Sequence, residues 1–170
     1  GRTLSYEEAI IMGGFTDIKE YYQIGTKLLN VQELQGTSIH KLERWFFHYI
    51  AGYTSVLLNI DLWSIYRFIV IMCVSTLVFI INLLKCSELN KIAIFIFLLL
   101  NPYTFRLYWA APGMINDCIF FISITGILVG LIEKRPYLFV SSIIIAALAR
   151  QTIILCLPIL LILYLNNKLS

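Results

Sequence analysis

The sequence predicts an all-α fold, a polytopic helical membrane protein, on three observations. The chain of 170 residues is 59% hydrophobic and only 14% charged, and its mean hydropathy is +0.83. Its charge is confined to a polar N-terminal third and a few short connectors. Between those connectors lie apolar runs of the length that crosses a bilayer. This composition argues against a water-soluble α/β domain. The net charge of +3 forms no basic stripe, so nucleic acid is not an expected partner.

Taken in order, Asp17 to Leu29 reads as a short amphipathic helix, with Ile18, Tyr21, Tyr22, Gly25 and Leu29 on one face. Asn30 to His40, with Gly36, Thr37 and Ser38, reads as a loop. Lys41 to Leu58 is a second, aromatic amphipathic helix on which Arg44 and His48 stand one turn apart. It is expected at the outer interface, where Trp45, Tyr49 and Tyr53 suit an aromatic belt. Residues 1–60 thus form an external loop with juxtamembrane helices, and residues 61–170 a transmembrane helical domain.

Within that domain the first span is Leu62 to Leu84, with Arg67 near its outer end, able to snorkel. A second runs from Ile92 to about Tyr108 and is broken at Asn101-Pro102, where proline removes a backbone donor. After the turn Ala110-Ala111-Pro112-Gly113, a third span opens at Pro112 or Met114, carries Asn116 and Asp117 in its first turns, and ends near Leu131. Two half-length helices follow, Leu138 to Leu148 and Thr152 to Leu165, each too short for a hydrocarbon core of ~30 Å. Arg150 sits at their junction. A guanidinium keeps its charge, so among Ile, Leu and Ala it needs an anion or a wet cavity, on pain of about 2.5–3.5 kcal/mol.

Lys85, Lys91, Lys134, Arg135 and Lys168 fall on alternate connectors and mark the cytoplasmic side. The N-terminal 60 residues, Arg106, Asp117 and Arg150 then share the external side. The four cysteines have no zinc or redox spacing and read as structural thiols. The chain begins at Gly1 without a signal-peptide pattern, and a span usually precedes the first large polar loop of a multispanning protein. An internal piece of a longer protein is therefore expected.

One side of the membrane thus receives Asp17, Glu20, Arg44, His48, Arg106, Asp117 and Arg150. Arginine forks suit phosphate oxygens, and a carboxylate suits removal of a proton from an attacking hydroxyl. Each member also has a plainer explanation. Asp17 and Glu20 fit a capping box, Arg44 and His48 an interfacial helix, Arg106 a snorkelling side chain, and Asp117 a helix N-terminus or a salt bridge to Arg106. For Arg150 burial favours function. No Gly-rich phosphate loop, His/Cys metal spacing or Gly-x-Ser-x-Gly is present, and a divalent metal bound by carboxylates stays open.

The layout resembles the GT-C superfamily of membrane glycosyltransferases, which use polyprenyl-phosphate sugars, the dolichyl-phosphate-mannose enzymes among them. The residues that carry the resemblance are Asp17 to Tyr22, Arg44-Trp45-Phe46-Phe47-His48, Asn116-Asp117 at the opening of a span, and Ala147-Leu148-Ala149-Arg150-Gln151-Thr152 with Ile153 to Pro158. The resemblance implies an inverting transfer of a sugar from a polyprenyl-phosphate donor to the hydroxyl of a glycan or protein acceptor. Asp17 would be the base, and Arg150, Arg44 and Arg106 would neutralise the leaving phosphate. Asp117, His48 and Glu20 complete the expected site. The chain departs from the family in its few spans and in lacking a paired Asp-x-Asp. The expected location is the bilayer of a bacterial inner membrane, multi-pass, with the active-site loop external. Rival readings are a lipid-linked polysaccharide polymerase, a transporter or flippase with Arg150 at a broken helix, and a non-catalytic membrane subunit.

Overall fold

The computed structural model describes residues 16–27, 44–100 and 111–169, with side-chain surroundings for 19–27, 44–100 and 111–166. Every regular element among them is helical. We number the α-helices α1 (Thr16–Lys27), α2 (Trp45–Leu58), α3 (Leu62–Asn82), α4 (Glu88–Leu100), α5 (Ile115–Ile132), α6 (Pro136–Ala149) and α7 (Leu157–Leu169). Short 3-10 turns at Pro112–Met114 and Gln151–Cys156 lead into α5 and α7. The expected loop at 30–40, the break at Asn101-Pro102 and Arg106 lie outside the described residues.

Local chemistry sets most of the boundaries. α2 ends where Asn59 takes the left-handed conformation at φ 53°, a role asparagine fills well, and its N–H returns to Ser55 and Val56. Two residues on, Asp61 caps α3, its Oδ2 accepting from the Ser64 N–H at 3.1 Å. α4 begins at Glu88, earlier than the apolar run at Ile92 suggests. The reason is that Ser87 Oγ accepts from Asn90 N at 3.3 Å and Lys91 pairs with Glu88 at 2.8 Å, so the polar residues build the first turn. α6 likewise starts at Pro136, whose fixed φ suits a first helical position.

Among the described residues, α3 and, together with the 3-10 turn that leads into it, α5 are the two helices long and apolar enough to cross a membrane. They run side by side, with Val70, Cys73, Leu77, Ile80 and Ile81 of α3 meeting Cys118, Ile122 and Val129 of α5. At their far ends Glu133 Oε1 accepts from the Lys85 N–H at 2.8 Å. At their near ends Tyr66 and Ile115 share a second core cluster, with Ala51 of α2 and with Leu62 and Trp63.

The most extensive packing is between α5 and α6. A methyl on Gly130 would stand 2.7 Å from Phe139 N and 2.9 Å from its Cα, and one on Gly126 would overlap Ser142 Oγ. The helices approach this closely because Gly126 of α5 faces the small residue Ser142 of α6, and Gly130 faces the backbone of Phe139. α7 packs through Leu160 and Tyr164 on the core cluster that Ile127 of α5 and Phe139 of α6 share, Phe139 stacking on Tyr164 at 4.7 Å. Arg150 lies between α6 and the 3-10 turn that leads into α7.

Much of the outer surface of the helices is apolar. α3 exposes Phe68, Ile71, Met72, Val78 and Phe79, and only 39% of its most apolar window is buried. α4 has no buried residue, although it is apolar from Ile92 to Leu100. Hydroxyls on the long helices are satisfied within their own helix: Thr76 and Ser123 each donate to the carbonyl four residues back at 2.8 Å.

Candidate functional site

Arg150 ends α6. Its backbone is extended, at φ −148° and ψ 117°, and its N–H donates to the Ala146 carbonyl at 2.7 Å. The side chain reaches to the first turn of α5, where Nε donates to Asp117 Oδ1 at 2.7 Å and Nη2 converges on the same oxygen. Phe120, one turn further along α5, lies beneath the guanidinium at 5.5 Å from ring centroid to Cζ. Asp117 is in the first turn of its helix, where the macrodipole favours a carboxylate. The side chains are 32% and 15% exposed respectively, so the pair is half-sheltered. The expected anion for Arg150 is thus supplied by the chain itself, and among the described residues the ion-pair partner of Asp117 is Arg150.

A second group adjoins the first through Asn116, which is buried. Its Nδ2 donates to the backbone carbonyl of Arg44, the residue just before α2. That bond sets Arg44 one residue away from Asp117 along the α5 backbone. The Arg44 guanidinium donates from Nη1 to the Tyr21 phenol of α1 at 3.2 Å. Among the described residues its hydrogen-bond partner is therefore a phenol and not a carboxylate.

His48 lies one turn beyond Arg44 and is fully enclosed, at 0% exposure. Its ring stacks on Tyr21 at 4.5 Å, and Nδ1 lies 3.0 Å from the Tyr66 hydroxyl, which itself donates to the Tyr21 carbonyl at 3.3 Å. Since the Tyr66 proton goes to that carbonyl, the tautomer that satisfies both bonds carries its hydrogen on Nδ1. Nε2 is then a buried acceptor, as is Asn116 Oδ1, and neither has a partner among the described residues. Burial holds the imidazole well below its usual value of 6.5, down to about 3, so it is neutral. His48 therefore joins α1, α2 and α3 in the interior, where an interfacial anchor was expected. Close contact of α1 with α2 makes that possible: a methyl on Gly52 would overlap the Gly25 carbonyl.

Glu20 is half-buried on α1. Asp17 is the second residue of α1. Among the described residues no group of three His, Cys, Asp or Glu side chains could hold a metal ion. Buried Cys73 and Cys118 are free thiols in the α3–α5 core.

No protein-family model, curated protein or solved structure matches the chain. The functional reading therefore rests on the residues themselves.

Next to the polar layer an apolar groove of about 530 Å³ opens between α2, α3, α5 and α6. Phe47 and Ile50 of α2 and Ile119 of α5 line one part of it, just past Arg44 and Asp117 in their helices, and Phe79 and Leu138 line another. Sequence reasoning found Arg44, Asp117 and Arg150 by their charge. It missed Tyr21, Tyr66 and Asn116 as members of the network, and it missed the Gly126-x-x-x-Gly130 spacing that positions α6.

Proposed function

We propose that the chain belongs to an integral membrane glycosyltransferase that moves a sugar from a polyprenyl-phosphate donor to an acceptor hydroxyl on the external side. Membrane insertion is supported by the apolar exposed faces of α3 and α4 and by the hydroxyls returned to their own helices. The observation that carries the catalytic reading is the joining of Arg44 and the Asp117–Arg150 pair, through Asn116, beside an apolar groove. A lipid phosphate has that polarity.

In the reaction the acceptor oxygen forms a bond to the anomeric carbon while the bond from that carbon to the phosphate oxygen breaks. The polyprenyl phosphate leaves with the electron pair, and the hydroxyl proton passes to a carboxylate, for which the GT-C resemblance nominates Asp17. Arg44 suits the leaving phosphate because its guanidinium has donors beyond the one given to Tyr21. Arg150 suits it less directly, since Asp117 already neutralises it. The prenyl chain would lie in the groove lined by Phe47, Ile119 and Phe79.

The decisive experiment is transfer in vitro by the purified protein offered a panel of labelled polyprenyl-phosphate sugars. We expect turnover with one donor class, its abolition in Asp17→Asn with insertion intact, and a fall of about a hundredfold in Arg44→Ala. Absence of transfer from every donor in the panel would overturn the reading, and unchanged turnover in Asp17→Asn would remove Asp17 as base.

A further inference from the structure

At the end of the helix bundle opposite the Asp117–Arg150 pair, Lys134 and Arg135 stand exposed between α5 and α6. The turn holding them is closely defined. Arg135 N donates to the Gly130 carbonyl at 2.8 Å and Lys134 N to that of Leu131 at 3.4 Å, a Schellman arrangement, and Lys134 takes φ 51°. Glycine adopts that backbone freely, whereas a lysine meets a steric cost there. The adjacent carboxylate is turned elsewhere: Glu133 Oε1 accepts from Lys85 N at 2.8 Å, and Oε2 lies 4.0 Å from Lys85 Nζ. Among the described residues no carboxylate pairs with Lys134 or Arg135.

These two cations form the rim of a groove of about 730 Å³ whose other walls include Phe79, Leu83, Val140 and Ile144. It shares Phe79, Leu138 and Ser141 with the apolar groove between α2, α3, α5 and α6. A soluble anion would use only the rim, and a neutral lipid only the furrow. A charged rim on an apolar furrow fits an amphiphile with an anionic head. Basic pockets at the cytoplasmic edge of membrane helices have this character.

We infer that Lys134, Arg135 and the adjoining α3–α6 furrow bind an anionic phospholipid, its phosphate on the two cations and an acyl chain along Phe79, Val140 and Ile144. The site rests on the membrane reading and is independent of glycosyl transfer. Its occupant is a bilayer component and not a substrate.

The test places the whole chain in phosphatidylcholine nanodiscs with and without phosphatidylglycerol and measures by native mass spectrometry which lipid stays bound. Phosphatidylglycerol should be retained in preference. The double variant Lys134→Ala, Arg135→Ala should lose about thirtyfold of that preference, while Lys91→Ala, whose lysine pairs with Glu88, should keep it. Ile144→Trp, which fills the furrow and leaves both cations, should weaken retention as well. Equal preference in the wild type and the double variant would overturn the site. Displacement of the lipid by glycerol phosphate in solution would overturn the lipid assignment in favour of a rim that binds free phosphates. Failure of the membrane reading would be visible separately, as a chain that is absent from the membrane fraction.

Discussion

His48 is the residue whose surroundings bear most directly on stability. Enclosed between Tyr21 and Tyr66, the folded ring stays neutral down to about pH 3, whereas an unfolded one protonates near 6.5. The stability that comes from burying the neutral ring is therefore whole above about 6.5 and declines as acid is added, until the folded ring itself protonates near 3. Each pH unit in that window corresponds to about 1.4 kcal/mol, so acidification from about pH 7 to about pH 5 should remove about 2 kcal/mol. Thermal unfolding in detergent at the two pH values should show this loss in the wild type and a much smaller one in His48→Phe. The same pH dependence in both proteins would mean that other groups account for it. None of this network is evident from residue types alone, because an aromatic helix with one histidine reads equally as an interfacial face or an interior one. Arg150 is the opposite case: a charge in an apolar run announces itself, and only its partner, 33 positions away, is hidden.

At the scale of elements, close approach of helices decides where the polar side chains meet. Asp117 and Arg150 can pair because α6 lies against α5 along Gly126 and Gly130. A methyl at Gly130 meets Phe139 N and Cα, which are backbone and cannot swing aside, whereas one at Gly126 meets chiefly the Ser142 hydroxyl. Gly130→Ala should therefore cost about 2 kcal/mol, and Gly126→Ala less than about 1 kcal/mol, with Ser142→Ala relieving the second and not the first. Unfolding by denaturant measures the order, and equal costs would mean that the helices do not approach as closely as described. The end of α2 and the starts of α3 and α5 follow the sequence closely, since Asn59, Asp61 and Pro112 are local signals, whereas α2 begins at Trp45 and not at the expected Lys41. The start of α4 does not, because Ser87, Glu88 and Lys91 resemble a connector until their side chains are seen bonded to each other and to the first turn. The two short C-terminal helices are legible in the sequence, but not the ring stack by which Phe139 and Tyr164 meet from positions 25 apart.

Across the whole molecule the two ends of the bundle differ in charge logic, and that asymmetry predicts an orientation. One end gathers Arg44, Arg67 and Arg150 with Asp117 and the Asp61 cap; the other gathers Lys85, Lys91, Lys134 and Arg135 in the connectors, with Glu133 held on Lys85. On the proposed membrane reading, basic connectors predict that the second end is cytoplasmic. Cys86 offers a native reporter there, in the connector after α3, while Cys73 and Cys118 are buried. In a protein with Cys73, Cys118 and Cys156 changed to serine, a membrane-impermeant maleimide should label Cys86 only after the cells are opened. With Cys86 also replaced and Asn59→Cys introduced at the exposed α2–α3 turn, labelling should occur on intact cells. Lys134→Glu with Arg135→Glu should weaken the bias, because positive charge near the ends of spans sets topology while added acid contributes little by itself. Labelling of Cys86 from outside would invert the array and carry Arg44, Asp117 and Arg150 to the cytoplasmic face. There an externally acting transferase would have no access to its donor, so the orientation measurement bears on the proposed chemistry as directly as the transfer assay does.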